Sequence, residues 1–253
     1  MVRTRIMSDL HLSPTLSRTG DFRYEDLGED VCILAGDISE GMSGVYWALD
    51  NIPEHIRVFY VPGNHEYYGQ EFFSLNAKFD KHNKLGTHVK VLNNESEVWG
   101  GVNFVGTTLW TDFRYFGQPH LDKMIWASGL NDSRFIEYGD HSLQAEDVVA
   151  EYRKSLNFLR KQDGGVLITH YCPQYSVAPH YMLDRLTAGY ASRIPEDVWC
   201  RFNIHIHGHT HEFFRYKLAE GTPEVVCNPK GYNGESDSFL KDLIIDLRGQ
   251  YDD

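Results

Sequence analysis

Two aspartates, one asparagine and five histidines recur along this chain in short, ordered groups: Asp9-Leu10-His11, Gly36-Asp37, Gly63-Asn64-His65-Glu66, Thr169-His170 and Gly208-His209-Thr210-His211. By type these are metal ligands. Asp9 and Asp37 offer anionic oxygens, Asn64 a neutral oxygen, and His11, His170, His209 and His211 imidazole nitrogens; no thiolate takes part. Mixed nitrogen and oxygen ligation suits Mn2+, Fe2+ or Fe3+, Zn2+, Co2+ or Ni2+, and fits Ca2+ or an iron–sulfur cluster poorly. The set is large enough for two ions and leaves one histidine over. Two metals with a spare acid are the minimum equipment for cleaving a phosphate ester. On an extended segment His209 and His211 face the same way, whereas a turn at Gly208 splits them between two ions.

Taken singly, most of these groups say little. Asp-x-His is common by chance, Gly-Asp after a strand is usually a turn, and Gly-His-x-His suits an exposed polar strand. Gly-Asn-His-Glu is more pointed, having little structural reason to follow an apolar run. What decides is that every group occurs in order, each at the end of a short apolar stretch.

Those stretches are the elements that must position the ligands. Arg5-Ile6-Met7 leads into Asp9, Val31-Cys32-Ile33-Leu34 into Asp37, and Val58-Phe59-Tyr60-Val61 into Asn64. Val166-Leu167-Ile168 leads into His170, and Phe202-Asn203-Ile204 into the last histidines. Short β-branched runs bounded by glycine and polar residues read as buried strands. Open α/β sheets carry their active sites just past such carboxyl ends. Between them, three- and four-residue spacing predicts a helix over Leu143–Lys161, capped by Ser142 and stopped by Gly164-Gly165. A second helix is expected over Gln70–Leu85. Val89–Leu92, Ser96–Trp99 and Val102–Val105 read as consecutive strands with Gly100-Gly101 as a hairpin turn. Phe213–Lys217, Glu224–Cys227 and Phe239–Leu247 suggest an antiparallel finish. Residues 110–140 lack a clean period and are too long for a plain connection, so a lid or substrate-binding excursion is expected there. The rest reads as one domain over 1–253.

With 253 residues the chain can bury a sizeable core. A net charge of −12 argues against affinity built on gripping duplex phosphates and for a small anionic substrate, with no extended nucleic-acid surface. Cys32, Cys172, Cys200 and Cys227 have no CxxC spacing and read as reduced thiols. No signal-peptide core follows Met1-Val2-Arg3-Thr4-Arg5, and no apolar run reaches membrane-spanning length, so a cytoplasmic protein without membrane partners is expected.

The ordered pattern D-x-H … G-D … G-N-H-E … H … G-H-x-H resembles the calcineurin-like metallophosphoesterase superfamily from Asp9 to His211. The resemblance implies an α/β fold of two packed, mainly mixed β-sheets flanked by helices, with a dinuclear centre at the strand ends. It implies that Asp9, His11 and His211 hold one metal and Asn64, His170 and His209 the other. Asp37 would bridge both, and His65 would bind none. Mn2+ is the first expectation for both ions. Asn228-Pro229-Lys230-Gly231-Tyr232 and Thr108-Leu109-Trp110-Thr111-Asp112 are also similar to a bacterial and phage-type branch of phosphohydrolases.

The chemistry expected is in-line attack by a hydroxide bridging cations roughly 3.5–4 Å apart, with Asp37 and His65 as catalytic groups and His65 protonating the leaving oxygen. Asn64 and His65 are expected to touch substrate, and His180 and Arg134 are further substrate-contact candidates. His207 is a candidate support for a ligand imidazole. Trp110, Phe113, Tyr115, Phe116 and Trp126 could stack on an aromatic leaving group, although a small core of the excursion explains them better. Protein phosphatases of the superfamily follow the bridging aspartate with Asp-Arg-Gly. Here Ile38-Ser39-Glu40-Gly41 follows, so the phosphate-gripping arginine and the histidine-orienting acid are both missing. A small phosphodiester or nucleotide-type ester is therefore the expected substrate, ahead of a phosphomonoester or a phosphoprotein. A non-catalytic scaffold would show a broken ligand set, and this set is intact.

Overall fold

Alternating burial explains the two sheets. In the computed structural model, which describes residues 1–12, 22–117, 126, 129–173, 182, 184–235 and 238–248, the central strands bury side chains on both faces and the edge strands do not. The first sheet contains β1 (Val2–Met7), β2 (Val31–Ala35), β3 (Arg57–Val61), β4 (Val89–Val91) and, last in the chain, β11 (Ile244–Leu247). Its order is β11-β1-β2-β3-β4, parallel except for β11. The second contains β5 (Glu95–Trp99), β6 (Val102–Thr107), β7 (Val166–Thr169), β8 (Ile204–His207), β9 (Phe214–Lys217) and β10 (Glu224–Cys227). Its order is β9-β10-β8-β7-β6-β5, with a parallel centre and an antiparallel strand at each edge.

Val31, Ile33 and Ala35 of β2 turn inward to meet Phe104, Val166, Ile168 and Ile206 of the facing sheet. Phe59 stacks on Phe104 across that interface, ring centroids 4.3 Å apart. Cys32 and Leu34 point the other way, into a core shared with the helices, as a period of two requires. Each fully buried Val, Leu, Ile or Phe contributes about 1.5–3 kcal/mol. The helices are α1 (Ser43–Asn51), α2 (Phe72–Asn83), a short α3 (Asp132–Phe135), α4 (Ala145–Leu159) and a short α5 (Glu196–Trp199). In α4 the buried stripe is Val148, Tyr152, Leu156 and Leu159.

Several local expectations need correction. The cap of α4 is Gln144, not Ser142: the Gln144 backbone N–H donates to Asp147 Oδ2 at 2.9 Å, while Ser142 sits in a two-residue strand. That helix ends at Leu159, and Gly164 and Gly165 make the turn into β7 instead. Gln70–Glu71 is a short strand rather than the first turn of α2, and of Phe239–Leu247 only Ile244–Leu247 is extended. Gly100-Gly101 does form the β5–β6 turn, with φ of 56° and 77°.

The described parts of 110–140 are packed into the protein. Trp110 and Phe113 are buried in the helix-side core, and Tyr115 and Trp126 pack against it. Ile136–Tyr138, which follows α3, pairs with Gln70–Glu71 and with His141–Ser142. No helix among the described residues is long and apolar enough to cross a membrane.

Candidate metal centre

Parallel pairing brings the carboxyl ends of β1, β2 and β3 in one sheet, and β7 and β8 in the other, to a common edge. The loops that follow are tied together by their own backbones. Asp9 N–H donates to Gly36 O at 2.9 Å, His11 N–H to Asp37 O at 3.0 Å, and Gly208 N–H to His170 O at 3.1 Å. The motif glycines leave room that a side chain would fill. A Cβ on Gly36 would lie 2.3 Å from His170 Nδ1, one on Gly63 2.1 Å from Asp37 Oδ1, and one on Gly208 2.7 Å from Asp9 Oδ2. Asp9, His11, Asp37, His209 and His211 all have left-handed φ, between 47° and 73°. Such backbone is unfavourable for non-glycine residues and concentrates at functional sites.

Glu66 is the brace beneath these loops. Its fully buried carboxylate accepts from the backbone N–H of Gly63 (2.6 Å), Asp37 (3.0 Å), Ile38 (2.8 Å) and Ser39 (3.3 Å) and from the Tyr60 hydroxyl (2.6 Å). Burial, then the nearby Asp37 charge, push its pKa up.

The side chains converge in three groupings with one ligand atom of each residue within 4.8 Å of the others: Asp9, His11 and His211; His11, Asp37 and His65; and Asp37, His170 and His209. His11 Nε2 and His211 Nε2 are 3.0 Å apart, and Asp9 Oδ1 is 3.4 Å from His211 Nε2. His170 Nε2 lies 3.1 Å from Asn64 Oδ1, 3.1 Å from His209 Nδ1 and 3.3 Å from Asp37 Oδ1. The outward nitrogens are held elsewhere. His170 Nδ1–H donates to Ala35 O at 3.0 Å, and His211 Nδ1–H to Glu235 Oε2 at 2.7 Å. Both Nε2 atoms therefore face the cluster, as oriented ligand imidazoles do. The donor set fits divalent or trivalent transition metals on these grounds: nitrogen and oxygen donors only, tautomers fixed from outside, and Asp37 common to two groupings.

The charges match that purpose. Burial opposes ionisation of Asp9, but His211 holds its pKa down to about 2. Asp37 is lowered well below the usual carboxylate range by His170 and His65, against its burial. Burial disfavours charge on His170 and His211, yet Asp37 lifts the first to about 9, and Asp9 with Glu235 lifts the second to about 10. Burial leaves His11 near 4 and His209 near 3.

Residues without a role in the sequence pattern complete the frame. Asp132 of α3 is buried and accepts from Asn64 Nδ2 at 2.8 Å, Tyr68 OH at 2.8 Å and Tyr171 OH at 3.2 Å. The second Asn64 donor contact is Tyr68 OH at 3.3 Å. The Asn64 amide is thus turned with Oδ1 towards His170 and Nδ2 towards Asp132 and Tyr68. Tyr171 stacks on His209 with centroids 4.5 Å apart, Tyr68 on His65 at 4.2 Å, and Tyr232 on His11 at 4.4 Å. Tyr68 and Tyr171 sit within three residues of the motif histidines His65 and His170, whereas Asp132 comes from α3 and Tyr232 and Glu235 share one later loop.

The other candidates fall out differently. His207 is buried, with Nδ1 2.9 Å from Gly208 O, so it steadies the backbone that carries His209. His205 accepts from Trp199 Nε1–H at Nδ1 (2.9 Å) and donates from Nε2 to Thr169 Oγ1 (2.9 Å), a structural role. Arg134 is exposed on α3, where its backbone N–H donates to Asn131 O at 2.9 Å. His180 lies outside the described residues.

Over this geometry a family model for calcineurin-like phosphoesterases matches residues 2–213. The chain belongs to that family. This calcineurin-like phosphoesterase is a metal-dependent hydrolase of phosphoesters. It is similar to uncharacterized protein L509 of Acanthamoeba polyphaga mimivirus, 22% identical with 96% of each chain covered. Its fold is shared with the crystal structure of the phosphopantetheinyl hydrolase PptH from Mycobacterium tuberculosis, with TM-score 0.70, 17% identity and 93% of each chain covered. The family match ends just past His211, so Tyr232 and Glu235 lie beyond it.

Proposed function

We propose that this phosphoesterase uses a dinuclear centre to hydrolyse a small phosphodiester or nucleotide-type ester. The observation that carries the reading is Asp37, whose carboxylate is shared by the grouping with His170 and His209 and the grouping with His11 and His65. Asp9, His11 and His211 would hold one ion, Asn64, His170 and His209 the other, and Asp37 both, with Mn2+ the first metal to test. Bound there, two such cations supply a water acidic enough to attack near neutral pH and positive charge to offset the phosphoryl oxygens.

The chain's own residues do the rest. The Asp37 carboxylate is oriented by the His65 backbone N–H, which donates to its Oδ1 at 2.9 Å. His65 is the leaving-group acid. Its Nε2 lies 3.8 Å from Asp37 Oδ2, facing the reacting centre, while neighbouring Asn64 supplies the ligand oxygen. Tyr190, Thr210 and Glu235 line a cavity of about 190 Å³ beside His209 and His211, with room for an esterifying group.

Charge favours a diester. Among the described residues, the side chains shown against the ligand residues, Tyr68, Asp132, Tyr171, Tyr232 and Glu235, are neutral or acidic. A singly charged diester needs less compensation than a doubly charged monoester. The test is metal-reconstituted protein assayed on bis(4-nitrophenyl) phosphate, 4-nitrophenyl phosphate, cyclic nucleotides and dinucleotides, with elemental analysis of the same sample. We expect about two ions per chain and a kcat/KM for diesters at least ~10-fold above that for monoesters, equivalent to about 1.4 kcal/mol in the transition state. A monoester preference would refute the diester assignment, and one ion per chain the dinuclear one.

A further inference from the structure

The loop 228–235 lies beyond the family match and docks on the first ligand loop. The Asn228 side chain donates to Ile6 O and Leu240 O, both at 2.8 Å, and accepts from Leu240 N–H at 2.9 Å. Lys230 N–H then donates to Ser8 O, and Gly231 N–H to Asp9 O, each at 3.0 Å. Glu235 Oε2 accepts from Tyr232 N–H at 2.9 Å as well as from His211. Anchored on both sides, the Tyr232 ring lies over His11 at an interplanar angle of 28° and edge-on to His211. Its hydroxyl reaches 3.2 Å from His65 Nε2.

His65 is otherwise unusual for an acid. Among the described residues its buried Nδ1 has no hydrogen-bond partner, so no carboxylate of theirs fixes the ring from behind. Among the same described residues the ring is held by Tyr68, by the edge-on ring of His11 and by one side-chain hydrogen bond, that with Tyr232. With Nε2 protonated, that contact runs from Nε2–H to the tyrosine oxygen as acceptor. The His65 side chain is only 13% exposed, which leaves the phenol as the group through which that proton travels outward.

We propose that Tyr232 is a further catalytic residue, whose hydroxyl and the Nε2 of His65 act as one proton donor to the leaving oxygen. The inference rests on the reading of His65 as the acid. As the bond from phosphorus to the leaving oxygen breaks, that oxygen keeps the electron pair and takes the phenolic proton. In the same step the phenolic oxygen takes the Nε2 proton of charged His65. Both side chains end neutral, and the proton released by the attacking water recharges His65.

Tyr232→Phe keeps the ring on His11 and removes only the hydroxyl. The full-length, metal-loaded variant is assayed on diesters whose leaving groups run from 4-nitrophenol through phenol to a simple alcohol. General acid catalysis is worth roughly 10²–10⁴-fold, so the alcohol ester should slow at least ~100-fold while the nitrophenyl ester changes less than ~3-fold and metal content stays the same. His65→Ala should show the same pattern, and the double variant should be no slower than His65→Ala, because the two act as a unit. In the metal-free protein, Tyr232→Phe should also move the 15N resonance of His65 Nε2. If His65→Ala slows the alcohol ester but Tyr232→Phe does not, the proposal for Tyr232 is wrong and the acid role of His65 stands. If His65→Ala itself keeps full rate on that ester, the reading of His65 fails, and this inference with it.

Discussion

Asp37 concentrates more of the centre than any other side chain. It contacts His170 at 3.3 Å, accepts from the His65 backbone N–H, and stands in two of the ligand groupings. Asp37→Asn preserves shape and removes the charge that two cations share. We expect both ions to be lost or to bind far more weakly, with activity falling by roughly 10³-fold or more, beyond the effect of losing a single oriented donor. Circular dichroism should stay native, because Glu66 grips the backbone N–H of Asp37 rather than its carboxylate. Retention of two ions by this variant would show that Asp37 is not shared. The ligand residues were legible in the sequence because each is specified by type and follows a buried strand, and Asp37, Asn64 and His209 also follow a glycine whose space the fold needs. Which histidine each tyrosine covers was not, since Tyr171 follows His170 yet stacks on His209, and Tyr232 reaches His11 from far along the chain.

At the scale of elements, strand ends set the ligands, while the segment 110–140 holds one of them in orientation. Asp132, on α3, is 68 residues from Asn64 in sequence and 2.8 Å from its amide. Asp132→Ala should free the Asn64 amide to rotate. Affinity for the ion between Asn64, His170 and His209 should then fall roughly 10–100-fold, as when an outer hydrogen-bonding partner of a ligand is removed. Calorimetric titration should show one weakened and one normal binding event, whereas two unchanged events would mean that α3 does not set this ligand. The strands and α4 could be read from periodicity, which depends only on burial of one or both faces. The role of α3 could not. Its helix spans Asp132–Phe135, too short for a period, and its contacts run to distant loops. Likewise, Gln144 rather than Ser142 caps α4, because a capping box depends on the third residue in, Asp147, reaching back to the start.

For the whole molecule the centre is also a store of protons. Without cations, His170 and His211 have pKa values of about 9 and 10, raised over a reference of 6.5 by facing carboxylates that outweigh burial. Both folded values exceed the unfolded one, so their contribution to the stability of the metal-free chain is complete below about pH 6.5. It is lost as pH rises through about 9 and 10. Each of the two must lose its proton to ligate. Metal uptake at pH 7 should therefore release about two protons per chain, with affinity rising steeply up to about pH 9. Calorimetry in two buffers of different ionisation enthalpy counts those protons directly. A buffer-independent enthalpy would mean that neither histidine is charged before the metal arrives.

Five of the residues that converge on this centre, Asp9, His11, Asp37, His209 and His211, hold left-handed backbone that glycine adopts freely. Each such residue costs on the order of 1–2 kcal/mol relative to an ordinary conformation. Replacing His11 or His209 by glycine would relax the loop while abolishing a ligand, whereas at Asp9, Asp37 or His211 it would also remove a carboxylate–histidine pair that steadies the metal-free fold. Selection for ruggedness alone, in a laboratory or in a lineage that no longer needs the reaction, would thus erode the chemistry before the fold. The shortest path from this enzyme to a sturdier, inert pseudoenzyme runs through its own ligands.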